Sequence, residues 1–102
     1  MTRHRVVFSR AAAAQAEIIA GWWTLNRTAS PDMFVRELDA TVRILETSPH
    51  LGTRYVRTPL PGVRRLLIGR SLYHVYWEVD APTRTVTLTA IWHARRGSGP
   101  EL

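Results

Sequence analysis

Cysteine is absent from the 102 residues, and so is lysine. Without cysteine there is no disulfide framework, no thiolate nucleophile and no thiolate-ligated zinc site. No apolar run approaches the length of a membrane span. The opening MTRHRVVFSRAAAA imitates a secretory leader only faintly, since Arg10 interrupts the apolar stretch after Val6, Val7 and Phe8. A cytoplasmic protein is the expectation. No repeat or low-complexity segment breaks the chain, whose length suits one domain with one hydrophobic core.

All fourteen basic residues are arginine, against eight acidic ones, for a formal net charge of +6. Arginine stays charged at any working pH and presents a planar fork matched to carboxylate and phosphate. A field of this sign attracts nucleic acid, an anionic membrane surface or an acidic protein.

Periodicity predicts six elements. Arg5 to Phe8 is β-prone, and Ser9 is placed to cap a helix over Arg10 to Leu25. In that helix Ala11, Ala14, Ile18, Trp22 and Leu25 form one apolar stripe, with Ala12, Ala16, Ile19 and Trp23 beside it. Ser30 and Pro31 read as the cap and first residue of a second helix, in which Phe34, Leu38, Val42 and Leu45 face inward. Asp32/Arg36 and Asp39/Arg43 lie four apart on its outer face. Thr53 to Gly62, with two prolines, reads as a loop. Three strands follow at Val63 to Ile68, Leu72 to Val79 and Thr85 to His93. In the last, Val86, Leu88, Ala90 and Trp92 alternate with Thr85, Thr87, Thr89 and Ile91. The expected fold is therefore α+β, a βααβββ order with a helical hairpin packed on an antiparallel sheet. Residues 1–93 form the domain. Residues 94–102 form a basic, Gly/Ser/Pro-containing tail, with Gly97 to Leu102 expected to be mobile.

Arg64, Arg65, Arg70, Arg95 and Arg96 concentrate in the strand half, interleaved with Tyr73, Tyr76, Trp77, Trp92, His74 and His93. Guanidinium groups among aromatic rings suit a polyanion, the charge holding phosphate and the rings stacking on bases. His93 has the chemistry of a general acid or base. The histidines share no metal-ligand spacing and no acidic pair is placed for two-carboxylate chemistry, so neither metal nor cofactor is expected. Of the adjacent Trp22 and Trp23, one faces the sheet and the other reaches the rim of the apolar stripe, since neighbours on a helix lie about 100° apart.

Taken together, VVFSRAA, SPHLGTR, PGVRRLLIGRSLYHVYWEVD and VTLTAIWHARRGSGP resemble, in order and spacing, the RelE/ParE superfamily of bacterial type II toxins. The resemblance covers nearly the whole chain and is nearer to the ParE-like branch. It implies the same fold and a cognate antitoxin protein that neutralises the toxin. The contacts it implies for that antitoxin are Ile19, Trp22 and Trp23. For a ParE-like member it implies growth inhibition by binding a target, DNA gyrase, through Arg64, Arg65, Arg70, Tyr76, His93, Arg95 and Arg96. For a RelE-like member it implies metal-independent cleavage of ribosome-bound mRNA by His93, Arg64, Arg65, Arg95, Arg96 and Tyr73. The lack of lysine, and Ala94 where many ribonuclease members place an aromatic, count against cleavage. A basic nucleic-acid-binding module without toxicity is the third alternative.

Overall fold

The computed structural model describes residues 3–95, 99–100 and 102. Strand β1 (Arg5–Phe8) leads into helix α1 (Arg10–Asn26) and helix α2 (Met33–Thr47). Strands β2 (Thr53–Arg54), β3 (Arg64–Ile68), β4 (Tyr73–Asp80) and β5 (Thr85–His93) follow. Ser9 caps α1 as expected, its hydroxyl accepting the Ala12 N–H at 3.0 Å. The second helix starts later than its Ser-Pro pair predicts. Ser30 to Met33 closes a separate turn through the Met33 N–H and the Ser30 carbonyl, so Asp32 becomes the residue before the helix. Both expected ion pairs form on the outer face, Asp32–Arg36 at 3.2 Å and Asp39–Arg43 at 3.0 Å.

The five strands form one sheet in the order β1-β5-β4-β3-β2. It is mixed rather than wholly antiparallel. Two helices intervene between β1 and the rest, and β1 lies parallel to β5, with Arg5 beside Thr85 and Phe8 beside Leu88. Strand β2 falls inside the stretch read as a loop. Two residues are too few to show an alternation, yet Thr53 and Arg54 pair with Arg65 and Arg64. Gly52 permits that approach: its φ is +75°, and a Cβ there would lie 2.3 Å from the Arg65 carbonyl oxygen.

Both helices lie on one sheet face. Phe34, Leu38 and Leu45 of α2 and Ala12 and Trp23 of α1 enclose a core with Val75, Trp77, Val86, Leu88 and Ile91. Trp77 is fully buried and satisfies its indole N–H on the Pro49 carbonyl at 2.8 Å.

The other face carries a smaller cluster of Tyr55, Val63, Tyr76 and Ala90, with Trp92 and Leu102 packed against it. Pro100 is buried and Leu102 half-buried. Where the tail is described, it therefore lies against the sheet. Gly97, Ser98 and Glu101 of that segment lie outside the described residues.

A bulge in β5 determines which side chains meet on each face. Tyr76 is opposite Ala90, but Trp77 is opposite Leu88, so Thr89 is an extra residue. Beyond it the alternation reverses: Ala90 and Trp92 turn to the helix-free face, and Ile91 joins the main core. Trp92 therefore anchors the second cluster, not the core beneath the helices. The first turns of α1 satisfy the displaced backbone. The Ser9 hydroxyl donates to the Thr89 carbonyl at 3.3 Å, and Gln15 accepts the Ile91 N–H at 2.8 Å.

Candidate functional site

On the helix-free face, β2, β3, β4 and the end of β5 enclose a cleft of about 320 Å³ lined by Arg54, Tyr55, Arg57, Arg65, His74, Tyr76, Trp92 and His93 among others. Its floor is aromatic, with the Tyr55 and Tyr76 rings edge-to-face at 4.9 Å. Arg65 lies over this floor. Its guanidinium is 5.3 Å from the Tyr55 ring centroid and donates to the Tyr76 hydroxyl at 3.5 Å. Among the described residues, no acidic side chain lines the cleft. Burial, and then the charge of Arg65, pull the pKa of His74 below its ordinary value. His74 is therefore neutral near pH 7 and able to accept a proton.

The sheet divides the arginines expected to act together. Arg64 faces the other way from Arg65, because adjacent strand residues point to opposite sides. It donates to the carbonyls of Leu51 at 3.1 Å and Gly52 at 3.2 Å, holding the loop after α2 against β3. Arg64 is thus a structural clamp outside the cleft. Arg70 lies on the β3–β4 turn, near Arg27 and Trp22 on the helix side. Glu37 of α2 holds that turn by accepting the N–H groups of Arg70 and Ser71 at 2.6 and 3.0 Å and the Ser71 hydroxyl. Burial raises the Glu37 pKa, but these hydrogen bonds and the Arg70 charge outweigh it, and the net shift is downward.

His93 stands at the sheet's end and borders the cleft, but its ring turns to the helix side. It packs edge-to-face on Tyr73 at 4.9 Å, and Tyr73 packs on Phe34 at 5.1 Å. The His93 Nδ1 accepts the Arg95 N–H at 3.1 Å. Arg95 is exposed there, while Arg96 lies outside the described residues. Tyr76 is in the cleft floor as expected. Sequence reasoning missed Arg54, Tyr55 and Arg57 as site residues and named His74 only as one of the rings interleaved with the arginines. Two arginines flanking an aromatic residue in TRYVR were the available signal, obscured by the prolines that follow.

A second groove, of about 440 Å³, runs between α1 and the end of β5 and is lined by Gln15, Ile18, Ile19, Trp22, Tyr73 and Ile91 among others. Trp23 is core, only 8% exposed, whereas Trp22 is 44% exposed. Of the two indoles expected at a partner surface, Trp22 alone is available, and Ile19 lies beside it. Arg27 stacks over Trp22 at 4.9 Å. Among the described residues, no group of three or more acidic or histidine side chains is placed to hold a metal ion, and no helix is long and apolar enough to cross a membrane.

Residues 6–97 match the family model described as ParE toxin of type II toxin-antitoxin system, parDE. Among solved structures, the chromosomal ParDE system from P. aeruginosa superimposes with a TM-score of 0.69 at 18% identity, covering 91% of this chain and 98% of that one. The RelBE2 toxin–antitoxin complex of Mycobacterium tuberculosis gives 0.66 at 17% identity, with 96% and 97% covered. The intact E. coli RelBE complex gives 0.58 at 18% identity, with 91% and 99% covered. Identities this low carry the fold alone. No relative is detected among curated protein sequences.

Proposed function

Because the chain belongs to the ParE toxin family of type II toxin-antitoxin systems, we propose that it arrests growth by binding its target, DNA gyrase, through the arginine and aromatic cleft on the helix-free face. One observation supports binding over cleavage: among the described residues, the set expected to cut RNA is not gathered on one face. His93 and Tyr73 pack together toward the helices, Arg64 clamps a loop, and Arg65 lies on the opposite face. What remains in the cleft is cationic and aromatic, suited to an acidic protein surface. A cognate antitoxin neutralises the toxin by covering the apolar groove at Ile19 and Trp22. Its place beside the toxin is supported by the ParDE and RelBE complexes that share this fold.

RNA cleavage is the second reading, favoured by His74. This neutral imidazole lies in the cleft with Arg65, where it could take a proton from a ribose 2′-hydroxyl while the guanidinium meets the phosphate charge. Expression in a bacterium, with a gyrase supercoiling assay and mapping of mRNA ends, separates the two. Inhibited supercoiling without new mRNA ends is expected. Codon-phased cuts that disappear in His74→Ala would replace binding with catalysis.

A further inference from the structure

The aromatic floor of the cleft lies on the face that no helix covers, yet Tyr76 is 1% exposed and Tyr55 8%. Part of the cover is the chain's own tail. After β5 the Ala94 N–H donates to the Leu72 carbonyl. Gly99 then lines the cleft itself, so close that an added Cβ would lie 2.3 Å from the Tyr55 hydroxyl oxygen. Pro100 is buried, and Leu102 packs on the cluster that includes Tyr55, Tyr76 and Trp92.

We infer that Gly99, Pro100 and Leu102 form a self-bound strap over this cleft, and that the strap competes with the target for the same aromatic and cationic surface. The inference rests on the cleft being the target face. Leu102 is half-buried and Gly99 exposed, so the strap lies at the surface of the domain, and it can be displaced. A cleft open only a fraction of the time binds more weakly by that fraction: if it is open one-tenth of the time, releasing the strap raises affinity about tenfold.

The test uses full-length chains carrying Gly99→Ala, which wedges a methyl group against Tyr55, or Leu102→Arg, which sets like charge near Arg65. The probe is 8-anilinonaphthalene-1-sulfonate, an anionic aromatic dye matched to arginine beside aromatic rings. Both variants should keep the parent's near-UV circular dichroism and bind the dye about tenfold more tightly. Adding Arg65→Ala should reverse the gain, and both variants should arrest growth at lower induction than the parent. Dye affinity equal to the parent's overturns the strap. Tighter dye binding with unchanged growth arrest overturns its competition with the target. Tighter dye binding when no chain, parent included, arrests growth leaves the strap standing and overturns the growth-arrest reading instead.

Discussion

Glu37 offers a direct test of how α2 positions the end of the sheet. Its carboxylate receives the N–H groups of Arg70 and Ser71 and the Ser71 hydroxyl. Gly69, at φ +36°, leaves the space that the carboxylate fills. In Glu37→Ala, water can replace the partner of the exposed Arg70 N–H. Ser71, 3% exposed, has no such access. Its stranded N–H and hydroxyl together cost about 2–3 kcal/mol, allowing about 1–3 for each buried polar group left unpaired and some relaxation of the turn. For a domain of this size each kcal/mol lowers the melting temperature by roughly 4–8 °C, so a fall of roughly 10–20 °C is expected by circular dichroism. Because the folded pKa is lowered, the carboxylate's contribution is fully present above its ordinary value of 4.5 and is lost as pH falls through the lowered value. The gap between parent and variant should therefore be widest near pH 7 and narrow at about pH 3. A variant melting within about 3 °C of the parent at pH 7, or a gap unchanged on acidification, would refute the argument.

The two neighbouring indoles should separate cleanly. Trp23→Ala should destabilise the fold by about 3–5 kcal/mol, while Trp22→Ala should leave the melting temperature nearly unchanged and weaken antitoxin binding in calorimetry by about 2 kcal/mol. Adjacent arginines should separate too: Arg64→Ala should lower the melting temperature by freeing the Leu51 and Gly52 carbonyls, whereas Arg65→Ala should abolish growth arrest in a chain that still folds. The lowered pKa of His74 means that the unfolded chain takes up a proton first, so stability falls as pH drops from 6.5 through the lowered value. Chemical denaturation from pH 8 to 5 should show that slope in the parent and a flatter one in His74→Gln.

Most of the fold was legible because its elements are long and periodic. The capped first helix, the amphipathic second and the three long strands all declare themselves by spacing. The mixed sheet was not legible, since four residues at β1 carry no sign of which strand they will join. Nor was the bulge, because VTLTAIWH reads as an unbroken alternation and only pairing shows Thr89 to be extra. That one residue decided the site. It moved Trp92 to the cleft side and turned His93 toward Tyr73, leaving His74 as the histidine beside Arg65. The roles of Arg64 and Arg65 were indistinguishable in sequence for a related reason: strand parity separates them, but only a partner strand says which parity faces the helices.

The union of β1 with β5 also has a consequence in time. The Ser9 hydroxyl meets the Thr89 carbonyl 80 positions later in the chain. During synthesis both helical segments leave the ribosome before the strands that cover their apolar residues, because Val75, Trp77, Val86 and Leu88 come afterwards. Pairings this distant in sequence are slow to close and cannot begin until the later partner exists. A copy abandoned before β5 lacks the strand that joins β1 to β4, and with it the cleft wall supplied by Trp92. The topology thus withholds the candidate surface from every chain not yet translated through β5.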